Sequence, residues 1–413
     1  MTRDELREAV LNESKRTNIA IQAATGVGKS RIAIDLCAKY ATENLYPLKV
    51  LLVVAELAHF DNWGKEFEKW VTIEKWAALP DGAPITIICY ASLKNYRNTS
   101  WDVIIFDEAH HLNSELRLDV FSTLKSKHRI FLSATLKDSL LFRLEESCGP
   151  IYNIKMGLQD AFSSNVLPEP KIVLIPLKLD NIKQDQIIIE EWGKKDKQKC
   201  AECSYAERWK YLRQKKAIPN GKLIIRCTQQ QKYDYLCTQF EYYKKRYMFS
   251  RNEALKNKWL QCGNKRKQYL GLLKTEFAKE LLKKVKDKRF ICFCTNIEQA
   301  ETLGGANAIH SKKKNSLDII EQFNNKERKS LFAVGMLQEG INLNDIEAGI
   351  IVQLDGEERA FIQKFGRTLR ADYPVQYIIY FKGTRDEEYL NKALENIDTK
   401  YIEEANINEY FNK

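Results

Sequence analysis

The sequence predicts an α/β protein: two doubly wound parallel-sheet lobes separated by a basic, mainly helical insertion. Three observations predict it. Short continuous apolar runs alternate with helical stretches over residues 1–155, the pattern of strands buried on both faces. The same alternation returns over residues 289–413. Between them, residues 181–288 are rich in Lys, Tyr and Gln at helical spacing.

The first lobe opens on an amphipathic stretch and the strand Ile19 to Ala23, followed by a helix from Arg31 to Tyr40. Further strands are expected at Lys49 to Ala55, Ile85 to Tyr90, Val103 to Phe106 and Ile130 to Ser133. Residues 156–180 read as a linker plus the strand Lys171 to Leu177, which is assigned to the second lobe's sheet. The insertion offers one strand, Lys222 to Cys227. The second lobe supplies apolar runs at Phe290 to Phe293, Leu331 to Val334, Gly349 to Gln353 and Gln376 to Phe381.

A chain of 413 residues, 44% hydrophobic and 29% charged, has the apolar material for more than one core and is not a disordered composition. No run approaches the roughly 18 apolar residues of a membrane span, and the opening MTRDELREAV has no apolar signal core. The expected setting is therefore the cytoplasm, a host's if the chain is phage-encoded. The ten cysteines then read as reduced, mostly buried small hydrophobes. The net charge of +11 is unevenly distributed: residues 191–290 hold 28 Lys and Arg against 10 Asp and Glu, so the rest of the chain is net acidic.

The run Ala23-Ala24-Thr25-Gly26-Val27-Gly28-Lys29-Ser30 lies between an apolar strand and a helix, as a phosphate-binding loop must. There, backbone N–H groups from Ala24 to Ser30 cradle phosphate oxygens, Lys29 reaches the β- and γ-phosphates, and Ser30 ligates magnesium. Asp107-Glu108-Ala109-His110 follows the strand Val103 to Phe106. Asp107 is the second magnesium ligand, and Glu108 orients and deprotonates an attacking water. The cofactors expected from these residues are a nucleoside triphosphate and Mg2+.

These residues in this order resemble the DEAH-type helicases of superfamily 2, whose fold is a pair of RecA-like lobes. The resemblance extends to Ser133-Ala134-Thr135, the family's third motif, and makes His110, Ser133 and Thr135 coupling residues. Arg289 to Cys294 with Thr295-Asn296 resembles the fourth motif, and Gln338-Glu339-Gly340-Ile341-Asn342-Leu343 the fifth, with Gly340 at the nucleotide and Asn342 where many members carry Asp. Gln363-Lys364-Phe365-Gly366-Arg367-Thr368-Leu369-Arg370 resembles the sixth. Gln363, Arg367 and Arg370 are then catalytic from the second lobe, with Arg370 the arginine finger, a device worth about 10³–10⁵ in turnover. The Pro-containing motif usual after the second strand reads Val54-Ala55-Glu56-Leu57 here, although Asn62-Trp63, Phe67 and Lys69-Trp70 are similar to remodeller-like helicases. Gln22 lies inside a strand, so no glutamine before the loop reads adenine.

The resemblance implies an ATP hydrolase that moves on nucleic acid, DNA being favoured, in repair, replication or recombination. It is similar to compact phage-type helicases and to the RadD-like and XPB-like groups. The alternatives are an RNA helicase and a non-unwinding motor subunit of a restriction or remodelling complex. Thr135, Lys94 and Gly340 are candidates near the groove, and Lys244, Lys245, Arg246, Lys265, Arg266 and Lys267 are the insertion's candidate phosphate contacts. The aromatics among them, Tyr242, Tyr243, Tyr247 and Trp259, either stack on bases or, the preferred reading, form the core of a helical bundle. Cys200 and Cys203 have zinc-ligand spacing, but the later cysteines stand apart and no zinc site is expected.

Overall fold

Two all-parallel sheets carry the chain's architecture. The computed structural model describes residues 1–24, 26–43, 48–70, 85–183, 185–189, 223–334, 343, 345–354, 365–366, 371 and 373–406. The first lobe contains α1 (Arg3–Asn12), β1 (Asn18–Ala23), α2 (Lys29–Glu43), β2 (Val50–Val54), α3 (Ala58–Trp70), β3 (Ile85–Cys89) and β4 (Ser100–Phe106). It continues through α4 (Glu115–Thr123), β5 (Lys125–Ser133), α5 (Asp138–Cys148) and β6 (Tyr152–Met156). Its six strands lie in the order β3-β2-β4-β5-β1-β6. Helix α1 starts at a capping box in which the Thr2 hydroxyl accepts from Glu5 N and the Glu5 carboxylate accepts from Thr2 N.

The register stacks apolar residues across the sheet: Ile19 pairs with Ile130, Ile21 with Leu132, and Ile105 with Ile130. All six residues of β1 and all five of β2 are buried, which is why these strands read as continuous apolar runs. Strand β6 gives no such run, because it is an edge strand with only Ile154 and Met156 buried. It is absent from the sequence expectation for that reason.

Helix α6 (Leu158–Ser163) leads out of the first lobe, and β7 (Lys171–Leu177) enters the second sheet. Strand β7 pairs in parallel with β14 (Val375–Phe381), which places it in the second lobe's sheet, the lobe the sequence predicts for it. Its Pro176 is tolerated because the neighbour on the other side, β15 (Ile402–Glu404), pairs only with Ile172 to Leu174. The full order is β11-β12-β10-β13-β14-β7-β15, with β10 at Phe290–Phe293, β11 at Ala308–Ile309, β12 at Ser330–Ala333 and β13 at Ala348–Ile351. Between β7 and β10 lie an antiparallel ribbon, β8 (Asp185–Ile189) with β9 (Leu223–Cys227), and the helices α7 (Gln229–Ser250), α8 (Glu253–Leu273) and α9 (Thr275–Val285). Helices α10 (Ile297–Gly304), α11 (Ser316–Asn324) and α12 (Arg385–Leu394) complete the second lobe. Helix α9, read from the sequence with the insertion, buries Ala278, Leu281 and Val285 in the same core as Phe290, Cys292 and Ile350 of the second sheet.

Phe162 of α6 packs edge-on against Phe365 and Tyr401, and Gln159 Oε1 accepts from Asp398 N at 2.9 Å, so the connecting helix is shared by both lobes. The root of the α7–α8 hairpin is fixed more firmly. Lys274, wholly buried between α8 and α9, bridges Asp386 Oδ2 at 2.6 Å and donates to Val352 O at 2.8 Å. Asp386 also accepts from Gln353 Nε2 at 3.0 Å. Gly271 lies so close to Thr295 that an added Cβ would sit 1.9 Å from the Thr295 hydroxyl.

Replacing Asp386 by Asn leaves the Lys274 ammonium buried without its counter-charge, and we expect a loss of about 3–5 kcal/mol in folding stability. Urea unfolding of the variant checks it; a midpoint equal to wild type would show that the pair contributes nothing.

Candidate nucleotide site and its links across the sheet

The carboxyl ends of β1, β5 and β4 lie side by side, in that order, at one edge of the first sheet. The phosphate-binding loop leaves β1, Ser133-Ala134-Thr135 ends β5, and Asp107-Glu108 ends β4. The first and last of these border a cleft of about 460 Å³, lined by residues 26–32, by Arg3, Asp4 and Arg7 of α1, by residues of α3 that include His59, Trp63 and Trp70, and by Asp107 and Glu108. That volume suits a nucleotide-sized ligand. Gly26 and Gly28 have φ of +92° and +108°, a conformation that side chains disfavour, so the loop needs glycine at both positions. The amide groups then converge on the N-terminus of the 15-residue α2, where the helix dipole favours phosphate.

Lys29 Nζ donates to Ala23 O at 2.7 Å and Ala24 O at 3.3 Å, folded back along its own loop. Arg3 of α1 ties the loop down, donating to Gly26 O at 3.2 Å and Val166 O at 2.8 Å. Asp107 is held on every side. Its Oδ2 accepts from Trp63 Nε1 at 2.8 Å and faces His59 Nδ1 at 3.4 Å, and its Oδ1 accepts from Glu108 N at 3.0 Å. The Tyr90 hydroxyl donates to its backbone carbonyl at 3.0 Å. Burial pushes the Asp107 carboxyl up, but the His59 contact, the Trp63 hydrogen bond and the Lys29 charge outweigh it, and the net shift is downward. The group is therefore ionised at neutral pH, as a magnesium ligand must be. Ser30 and Asp107 offer two oxygen donors on one cleft, the ligand chemistry that Mg2+ takes.

Glu108 adopts a left-handed backbone, φ 48° and ψ 54°, which costs an acidic residue on the order of 1–3 kcal/mol. The turn aims its carboxylate at His110, whose Nδ1 lies 3.2 Å from Glu108 Oε2 and 3.2 Å from Ser133 Oγ. The Ser133 hydroxyl donates to Thr135 O at 2.8 Å, so its lone pair faces the imidazole and Nδ1 carries the proton. Ser133 thus joins His110 to the Thr135 backbone at the end of β5, while Glu108 Oε2 stands beside His110 at the cleft without a hydrogen bond of its own. Gln22, by contrast, is consumed within the lobe: it donates to Asn153 Oδ1 and accepts from Leu136 N, both at 2.8 Å.

Residues 3–138 match the family described as type III restriction enzyme, res subunit, and residues 273–372 match the helicase conserved C-terminal domain. The chain belongs to the superfamily 2 helicases and translocases. It is an ATP-hydrolysing motor of the nucleic-acid type. A DNA 3'-5' translocase XPB2 of Sulfurisphaera tokodaii is 22% identical over 93% of this chain and 82% of its own length. A putative ATP-dependent RNA helicase of Methanocaldococcus jannaschii is 29% identical over 29% of this chain, a match that spans 17% of that protein. A point variant of S. cerevisiae Dbp5 bound to RNA and ADP BeF3 shares the fold, with a TM-score of 0.58 and 12% identity over 98% of this chain and 90% of that one.

In this helicase-type chain, Lys29, Ser30, Asp107 and Glu108 line one cleft together with Gly26, Val27 and Gly28, and Ala24 adjoins them. Thr25, Gly340, Gln363, Arg367, Arg370 and the pair Cys200 and Cys203 lie outside the described residues. Among the proposed nucleic-acid contacts, Lys94, Lys245, Arg246 and Lys265 are exposed, and Lys244 and Lys267 are half-buried. Arg266 is a correction. It is buried between α7 and α8, its guanidinium 4.4 Å from the Phe240 ring and donating to Cys237 Sγ, so it holds the helix pair together instead of meeting a phosphate. Sequence reasoning gave no site role to Trp63 and His59. The available signal was an amphipathic helix carrying two tryptophans directly after β2, a strand that ends beside the cleft. No helix among the described residues is long and apolar enough to cross a membrane.

Trp63→Phe keeps the packing but removes the indole N–H from Asp107. The Mg2+ concentration giving half-maximal ATP hydrolysis should rise by about 10-fold, as for other residues that orient a metal ligand. A magnesium titration with an unchanged midpoint would show that Asp107 needs no such support.

Proposed function

We propose that this chain couples ATP hydrolysis to movement along DNA, in the setting of repair, replication or recombination. The choice of DNA rests on one observation: the relative matched along 93% of this chain is named a DNA translocase, whereas the putative RNA helicase matches over 29%. The cation excess of residues 191–290 supports a phosphate-backbone track, since each phosphate neutralised releases counterions.

In this reading, triphosphate entering the cleft draws Lys29 Nζ away from the carbonyls of Ala23 and Ala24 and onto the β- and γ-phosphates. Ser30 and Asp107 would hold Mg2+, which would neutralise developing phosphate charge. Glu108 accepts the proton of the attacking water, and its change of charge is felt first by His110 Nδ1, which is shared with Ser133. Ser133 in turn fixes the Thr135 backbone at the end of β5, so a proton gained at Glu108 alters a loop at the first lobe's edge. Gly340, Gln363, Arg367 and Arg370 complete the site from the second lobe, with Arg367 and Arg370 stabilising the transition state. Closure of one lobe on the other is then tied to bound triphosphate, and reopening to hydrolysis. Lys94 and Thr135 on the first lobe and Lys244, Lys245, Lys265 and Lys267 on the hairpin grip the backbone without reading bases.

Glu108→Gln should retain ATP binding and lose turnover by at least about 100-fold, while Lys29→Ala loses binding as well; a Glu108→Gln enzyme that hydrolyses ATP normally would remove Glu108 as the base. Steady-state ATPase with single-stranded DNA, duplex DNA, forked DNA and single-stranded RNA tests the track. Stronger stimulation by DNA is expected, and stronger stimulation by RNA would replace this reading with an RNA helicase. Lys245→Ala and Lys265→Ala should each lower the slope of log affinity against log salt by about one unit; unchanged slopes would make those lysines solubilising charges only.

A further inference from the structure

The α7–α8 hairpin ends in a short, well-capped turn. Arg251 takes the left-handed conformation that closes α7, and the Asn252 side chain accepts from Ala254 N at 2.8 Å to start α8. Below the turn the hairpin has an aromatic core: Tyr247 stacks on Trp259 at 5.7 Å and 22°, and Phe240 packs against the same indole at 5.9 Å. Above that core apolar side chains are left in solvent, with the Met248 sulfur accepting from Arg251 Nη1 at 3.7 Å. Met248 is 47% exposed and Phe249 95% exposed. Around them, residues 241–260 carry six Lys and Arg against two Glu. A helix of 22 residues is about 33 Å long, so the tip stands well away from its root. The root itself is rigid, held to the second lobe by Lys274 with Asp386, by Gln299 Nε2 on Gly271 O at 2.8 Å, and by Tyr233 accepting from Arg385 N at 2.8 Å.

We propose that Phe249, supported by Met248, is a strand-separating wedge: its ring stacks on the terminal base pair where duplex meets single strand. The surrounding cations Lys245, Arg246, Arg251 and Lys258 hold the phosphates of the two parting strands. Apolar side chains inserted at a base step unstack it, and a phenyl ring replaces part of the lost base stacking. Because the hairpin is fastened to the second lobe, the wedge advances whenever that lobe moves against the first. The proposal rests on the reading of the chain as a DNA motor and adds what that reading lacks, a part that opens the duplex.

The test uses the full chain with forked DNA carrying 2-aminopurine at the junction. Binding of the wild type without ATP should raise 2-aminopurine fluorescence, and Phe249→Ala should abolish the rise. With ATP, Phe249→Ala should separate forks at least 10-fold more slowly while hydrolysing ATP on single-stranded DNA at the wild-type rate, and Phe249→Trp should restore separation. With its side chain in solvent, Phe249 contributes no core contact whose loss could unfold the variant. Wild-type fork separation by Phe249→Ala overturns the proposal. So does a wild type that is stimulated by DNA but neither opens forks nor changes 2-aminopurine fluorescence, an outcome that leaves the motor intact. A wild type unstimulated by any nucleic acid removes the motor reading and the wedge with it. Phe249-dependent binding to anionic phospholipid vesicles, with no Phe249 effect at the fork, would reassign the tip to a membrane surface.

Discussion

The parallel register of β1, β5 and β4 is the constraint from which the site follows. Parallel strands send all their carboxyl ends to one edge of the sheet, so loops distant in sequence emerge as neighbours. With β5 between β1 and β4, Ser133 stands between the phosphate-binding loop and the Asp107-Glu108 pair. The approach of Glu108 to His110 and the His110–Ser133 contact both depend on β4 and β5 being neighbours in the sheet.

Electrostatics at the edge is arranged around Asp107. A carboxylate largely shielded from water must be compensated, and compensation here comes from an indole N–H, an imidazole, a backbone amide and the nearby Lys29. Trp63 and His59 arrive on α3 from the end of β2, next to β4 in the sheet. The helix that follows the second strand therefore contributes to the surroundings of Asp107 as well as to the lobe's core. The left-handed Glu108 is the local strain that this crowded edge carries.

The second lobe solves a different problem, how to carry a long basic hairpin without letting it swing. Its answer is a buried charge pair. The Lys274 ammonium is far from water, so it needs Asp386 and Val352 O together, and those acceptors come from α12 and from the residue after β13. This fixes the root of α8 to the carboxyl edge of the second sheet. Along the hairpin, tyrosines, Phe240 and Trp259 supply a core that a lysine-rich helix pair otherwise lacks, and Arg266 is drawn into it by its stack on Phe240.

The sequence by itself determined the two-sheet architecture, because strands buried on both faces must read as apolar runs, as Val50–Val54 and Phe290–Phe293 do. It also determined the phosphate loop and the Asp107-Glu108 pair, whose chemistry depends on residue types at fixed spacing along one loop. Even the placement of Lys171–Leu177 in the second sheet was legible, from its apolar run behind two prolines. Tertiary structure alone decided the rest. An edge strand such as Tyr152–Met156 leaves no continuous run to read. Trp63 reaches Asp107 across 44 positions, Lys274 reaches Asp386 across more than 100, and Arg266 is buried while its neighbour Lys265 is exposed. Local pattern reports what a residue can do; which partner it meets is set by strand order and helix packing, and those are properties of the whole fold.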